Sequence, residues 1–314
     1  MFALLPRERV GKMEIRKSGE RWKKLNKREK EDSETEDFEI TMNTIFIVIL
    51  CSVILLIVIY LLAIMPRILN RPDKSEFMNR LYAHRGLHDN TTDAPENSLR
   101  AFQKAVDAGF GIELDIQLTK DDIPVVFHDF TMKRICGAEG RVRDYSYREL
   151  QQFTLCGSDQ RIPGFEEVLR LVEGKVPLIV EFKIEGMELS LCPIADKLLR
   201  EYKGAYCIES FHPLCVRWYR KHHKEVMRGQ LSHAFLKEGG ENRILDFALQ
   251  NLLFNFLTKP DFIAYDHNQQ KVLSRRLCRG LYRSSAVAWT IKSREELEEA
   301  GKHFDLFIFD SFIP

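Results

Sequence analysis

Two acidic side chains two residues apart on an otherwise apolar stretch point first to chemistry in this chain: Glu113 and Asp115 in Gly111-Ile112-Glu113-Leu114-Asp115-Ile116-Gln117. A period of two reads as a strand, so both carboxylates project on one side while Ile112, Leu114 and Ile116 project on the other. Buried side by side, two such anions repel, and one takes up a proton unless positive charge is supplied. A divalent metal ion supplies it; so does a closed network of salt bridges, and this stretch alone leaves both readings open. After the polar turn Thr119-Lys120-Asp121-Asp122, a second apolar run, Pro124-Val125-Val126-Phe127, delivers His128 and Asp129. One hairpin thus joins a candidate metal-binding pair to a titratable imidazole, an arrangement suited to hydrolysis.

Two more strand tips carry suspect residues. Leu81-Tyr82-Ala83 reads as a brief strand ending in His84-Arg85-Gly86, where Gly86 permits a tight exit and leaves the imidazole and guanidinium at the lip. Pro177-Leu178-Ile179-Val180-Glu181-Phe182-Lys183 reads as a buried strand with Glu181 and Lys183 on one side. Taken alone, a Glu-x-Lys of this kind is ordinarily a surface ion pair.

The elements that must position these groups alternate. Asp93-Ala94-Pro95-Glu96 has the form of a helix start, with Asp93 as N-cap, and Leu99, Phe102 and Val106 then recur at helical spacing up to Gly109. Glu96 and Asn97 are capping residues on this reading; the alternative is that they reach the site. A loop-rich segment, 130–165, with one short helix at 145–153, precedes a helix at 164–174. Further strands are expected at 205–209, 225–231, 261–265, 286–291 and 305–310, separated by helices near 188–202, 213–223, 241–256, 267–280 and 293–301. With the strands at 81, 111 and 177 this makes eight, and the run near Val125 becomes a hairpin extension. Eight strands alternating with helices predict an α/β TIM (β/α)8 barrel, with every suspect residue at a strand's C-terminal end, where such barrels place chemistry.

His84-Arg85-Gly86, Pro95-Glu96-Asn97-Ser98, Gly111-Ile112-Glu113-Leu114-Asp115, Leu118-Thr119-Lys120-Asp121 and Pro124-Val125-Val126-Phe127-His128-Asp129 follow one another in an order and at separations that closely resemble the glycerophosphodiester phosphodiesterase family. The resemblance runs from about residue 80 to the C-terminus and includes the Glu181-x-Lys183 motif. It implies the same barrel and a metal-dependent hydrolysis of glycerophosphodiesters to sn-glycerol 3-phosphate and an alcohol such as choline or ethanolamine. Glu113, Asp115 and Glu181 would hold one divalent cation, and an all-oxygen ligand set favours Mg²⁺ or Ca²⁺. His84 and His128 would be the acid and base, with Arg85 and Lys183 on the phosphate oxygens. Two other functions remain open: a lysophospholipase D acting on membrane lysolipids, and a catalytically idle module that binds glycerophosphodiesters. The remaining histidines, among them His212, His222, His223, His233, His267 and His303, read as surface or loop residues. Trp289 suits either a pocket wall or the core, and Asp310 is given no role.

The 314 residues hold one large domain and an appendage. Lys and Arg total 47 against 46 for Asp and Glu, and beyond residue 40 no basic tract suggests a nucleic-acid groove. The seven cysteines show no zinc spacing and no paired framework, which fits buried thiols in a reducing compartment. Residues 1–41 mix both charges with little periodicity and are expected to be disordered or loosely helical; a start at Met42 would leave them untranslated. Ile45 to Met65 carries no charge and is long enough for a single transmembrane helix, here placed at 44–65. A polar linker, 66–79, then leads into the catalytic domain, 80–314. Lys24, Lys27, Arg28 and Lys30 before the span balance Arg67, Arg71, Lys74 and Arg80 after it in number; the second set lies closer to the span and leans the domain toward the cytoplasmic side. The expected partners are a glycerophosphodiester or lysophospholipid and the lipid bilayer.

Overall fold

The computed structural model describes residues 8–240 and 242–314. Residues 1–7, the head of the segment expected to be disordered or loosely helical, fall outside it. From Glu8 to Ile64 the chain is one helix, α1. In its charged part, Lys27 and Glu31, and Lys30 and Glu34, sit one turn apart at 3.6 and 3.7 Å, pairs that favour helix by about 0.2–0.5 kcal/mol each. From Ile45 to Ile59 the side chains, Ser52 apart, are apolar around the whole circumference and exposed. The helix is long and apolar enough to cross a membrane. The chain divides into two units between Tyr60 and Leu61.

The second unit is a closed barrel. Its parallel staves are β1 (Leu81–His84), β2 (Gly111–Leu118), β4 (Leu178–Phe182), β5 (Tyr206–Ser210), β6 (Arg228–Ser232), β7 (Phe262–Asp266), β8 (Ser285–Ile291) and β9 (Leu306–Phe309), and β3 (Pro124–Val126) is the hairpin partner of β2. β1 pairs with β2 on one side and with β9 on the other, which closes the ring. All eight expected staves are present, each within three residues of its expected start. Helices α2 (Leu99–Asp107), α3 (Lys133–Cys136), α4 (Tyr147–Leu150), α5 (Phe165–Val172), α6 (Leu191–Glu201), α7 (Pro213–His222), α8 (Phe235–Glu238), α9 (Arg243–Gln250), α10 (Asn255–Thr258), α11 (Leu273–Gly280) and α12 (Arg294–Gly301) alternate with them. The single helix expected at 241–256 is two, α9 and α10, and α8 was not foreseen.

Alternation divides the side chains of each stave between the barrel interior and the helices. The lower interior is packed by Tyr82, Ile179, Cys207, Phe262, Val287 and Leu306, joined by Phe77 and Met227. Gly111 is required where Tyr82 crosses it, since a Cβ there would lie 2.5 Å from the ring. Phe77 belongs to the segment expected to be a plain polar linker. That segment is instead strapped across the barrel floor: Arg67 donates to the carbonyl of Lys224 at 2.8 Å, Arg71 to that of Tyr282 at 2.6 Å, and Lys74 to Ser285 Oγ at 2.9 Å.

One helix start differs from expectation. The N-cap of α2 is Ser98, whose Oγ accepts from the Ala101 amide at 3.1 Å, and not Asp93. The Glu96 carboxylate is taken by arginines and Asn97 sits at φ +57°, so the helix cannot begin before them.

Candidate active site

Register aligns the acids. Asp115 of β2 lies opposite Glu181 of β4, which lies opposite Glu209 of β5, while His84 of β1 lies opposite Glu113. These side chains share the interior face at the C-terminal end of the barrel. Oxygens of Glu113, Asp115 and Glu181 fall within 4.8 Å of one another, and all three residues are buried. Burial, followed by the neighbouring Asp115, Glu181 and Glu209, pushes the Glu113 carboxyl well up. Burial also raises Glu181, against the pull of Lys183. For Asp115 burial is outweighed by His128, Lys183 and Arg85 together with a hydrogen bond from Asn97, and its carboxyl is held far below the usual range. Asp115 Oδ1 receives no hydrogen bond although it is buried. Crowded, underneutralised, all-oxygen and aimed at one point, this donor set fits a hard divalent cation.

Two cations flank the acids. Lys183 Nζ lies 2.8 Å from Glu181 and 3.5 Å from Asp115, and these anions outweigh burial to lift its pKa to about 12. Arg85 places Nη1 2.7 Å from Glu96 and Nε 3.4 Å from Asp115, while its backbone amide donates to Glu113 at 3.1 Å. Glu96 and Asn97 therefore reach the site, the alternative to their expected capping role.

His84 and His128 line the same cavity, of about 110 Å³, with Arg85, Glu113, Glu181, Glu209, Phe211 and Trp289. His84 sets Nε2 3.9 Å from Glu113 and Nδ1 3.5 Å from Asp310. Burial drives its pKa down to about 4, in spite of Asp310. His128 holds Nδ1 2.6 Å from Asp129. Asp129 is gripped by Arg134 at 2.6 Å, and Arg134 grips Glu96 at 2.7 Å. A continuous string of hydrogen bonds and ion pairs, from His128 through Asp129, Arg134, Glu96 and Arg85 to Asp115, thus ties the two sides of the site together.

Several of these residues escaped the sequence reading. Glu209 comes next to last in an apolar strand just as Glu181 does, so its signal was present; burial followed by repulsion from Glu181 and Asp115 pushes its carboxyl well up. Asp310, given no role, sits between His84 and His88, 3.3 Å from the latter. His88 and Arg134 lie in loop and short helix, where no periodicity marks them. Of the histidines read as surface or loop residues, His267 is buried 3.6 Å from Glu296 and His223 lies 3.0 Å from Asp196. Trp289 both lines the cavity and packs edge-on against Phe211.

The match to the glycerophosphoryl diester phosphodiesterase family spans residues 84–293, from the first site histidine to beyond Trp289. The chain belongs to that family. Over 147 residues it is 37% identical to a glycerophosphodiester phosphodiesterase of Bacillus altitudinis, a stretch covering 43% of this chain and 59% of the relative. Over 162 residues it is 32% identical to a lysophospholipase D of Rattus norvegicus, covering 47% and 49% of the two. The chain thus spans only about half to three fifths of these relatives' lengths. Its fold matches a phosphodiesterase of Oleispira antarctica solved with the product sn-glycerol-3-phosphate, with a TM-score of 0.60 at 20% identity over 74% of this chain and 93% of that one. The family is one of phosphodiesterases.

Proposed function

We propose that the protein hydrolyses glycerophosphodiesters to sn-glycerol 3-phosphate and an alcohol. The observation that carries this reading is the convergence of Glu113, Asp115 and Glu181, two of which, Glu113 and Glu181, line one cavity with both histidines. A phosphodiester is anionic, so a site must offset charge on its oxygens and move two protons. Glu113, Asp115 and Glu181 would hold one Mg²⁺ or Ca²⁺, which when bound supplies positive charge to the phosphate and glycerol oxygens. Lys183 and Arg85 stand beside the same oxygens. His84, kept neutral near pH 7 by its burial, takes the proton of the attacking oxygen, either water or the substrate's own glycerol hydroxyl; the second route leaves a cyclic phosphate, which a water then opens to sn-glycerol 3-phosphate. His128 points Nδ1 at Asp129, leaving Nε2 to hand a proton to the departing alcohol. An idle binding module has no use for two imidazoles in one cavity with the acids.

A second reading, a lysophospholipase D, is favoured by the apolar part of α1, which we take to anchor the protein in a bilayer, and by likeness to the rat relative. We place the barrel on the cytoplasmic side, on the strength of Arg67, Arg71, Lys74 and Arg80 following the span; protease protection in sealed vesicles reads this directly. The deciding assay takes the full chain with glycerophosphocholine, glycerophosphoethanolamine and lysophosphatidylcholine, with and without chelator. Release of sn-glycerol 3-phosphate that stops with chelator supports the first reading. Choline release from the lysolipid alone supports the second. No hydrolysis of any of them overturns both.

A further inference from the structure

Leu61 to Ile64, the last residues of α1, belong to the barrel unit and bond to it. The Ile64 carbonyl accepts from Asn255 Nδ2 of α10 at 2.9 Å, and the Leu61 carbonyl accepts from the Tyr282 hydroxyl at 2.8 Å. Around this seat the barrel's surface is unusually apolar. Ile68 and Leu69 of the strap, Phe256 of α10 and Leu281 after α11 are all exposed. Further along the same flank, on the elements that bracket β7, Ile244 is 83% exposed, Phe247 51% and Leu273 57%, with Leu245 beside them. α9 has no buried residue at all, although three of its first five are large and apolar.

We propose that this flank, formed by α9, α10, α11 and the Ile68-Leu69 corner, rests on the membrane that α1 enters. The inference rests on the reading of α1 as a bilayer span and goes beyond it: the barrel lies on the lipid instead of hanging from a tether. Three observations favour lipid over a protein partner. The elements that carry the apolar side chains are tied together, Asn255 Nδ2 of α10 lying 3.6 Å from Cys278 Sγ of α11 and the Tyr265 hydroxyl of β7 donating to the Gln250 carbonyl of α9 at 2.8 Å. Exposed Lys271, Arg276 and Arg283 are interleaved with them, and none makes an ion pair among the described residues. Leu side chains alternating with unpaired basic ones are what an interface of acyl chains beneath anionic headgroups selects. Lastly, α9 follows β6 from the end of the barrel that holds the site, so the flank reaches the rim through which a membrane-resident substrate would enter.

The full chain is reconstituted in vesicles of equal parts phosphatidylcholine and phosphatidylserine whose acyl chains carry a bromine quencher. A fluorescent amino acid is placed in turn at positions 247 and 273, at 49 within the apolar run, and at 166 on α5 across the barrel. Emission at 247 and 273 is expected to fall at least about twofold, as for side chains seated in the headgroup and acyl boundary, with no change at 166. Quenching at 49 with none at 247 and 273, or equal quenching at 166, overturns the docked flank and leaves the span standing. Silence at 49 overturns the span, and the flank with it.

Discussion

His84 and His128 arrive in one cavity from unlike surroundings. His84 is enclosed and shifted down to about 4, whereas His128 is half open and held by an aspartate. Removing either, as His84→Ala or His128→Ala, is expected to lower turnover of glycerophosphocholine by at least about a hundredfold, measured as kcat with saturating metal. The depressed His84 sets the sign of the acid limb: above pH 4 the ring is neutral and can accept a proton, and below it the base is lost. Activity should therefore climb through about pH 4 and fall again on the alkaline side; a profile with its acid limb near 6.5 would remove His84 from the base role. Glu113→Gln should act differently, raising the Mg²⁺ or Ca²⁺ concentration for half-maximal activity by about tenfold or more, with a smaller loss at saturating ion. These residues were legible in the sequence because each stands within or just past an apolar strand, where a charged or titratable side chain breaks the pattern. Glu209 carried the same mark and was passed over because no second motif residue stood beside it.

Loops and short helices hold the strand-tip residues in place, and they were far less legible. Arg134, on the single turn of α3, bridges Asp129 and Glu96 and so braces His128 and Arg85 together. Nothing periodic in the sequence singles it out, because its partners are 5 and 38 residues away. Arg134→Ala should cost about 1–2 kcal/mol in urea melts, the low end for hydrogen bonds to charged groups because half of this side chain faces water. It should also lower kcat more than it raises KM. Burial acts to raise Glu96, but Arg134, Arg85 and Asn90 outweigh it and hold the carboxyl at about 2 instead of its ordinary 4.5. The stability these contacts lend is thus complete above about pH 4.5 and drains away as the pH falls toward 2. The gap between the variant and the unaltered protein should close over that interval, and melts at pH 7 and pH 3 would register it. The start of α2 illustrates the same limit of sequence reading. Asp93 and Ser98 both make good N-caps, and only the engagement of Glu96 by two distant arginines decides between them.

At the scale of the molecule the alternation of eight apolar runs with helices sufficed for the barrel, since parallel strands buried on both faces leave a pattern that few other folds share. The strap beneath the barrel was not legible, because Arg67, Arg71 and Lys74 look like any solvated linker until their carbonyl acceptors are known. The crowded acids have a consequence for the whole domain as well. An ion bound only by the folded state at a hundred times its Kd stabilises by about 2.7 kcal/mol. A chelator should therefore lower the melting temperature of the domain by about 5–10 °C, and an unchanged melting curve would argue against an ion at Glu113, Asp115 and Glu181. The ring of staves closes where β1 meets β9, and Asp310 comes to His84 only from just past that last stave. During synthesis, then, an emerging polypeptide has no finished reaction centre: the seam cannot be zipped until the stretch from Leu306 to Asp310 has left the ribosome. A stop before Leu306, even one sparing Glu113, Asp115, Glu181 and both imidazoles, leaves the cylinder split and its lead histidine unbraced.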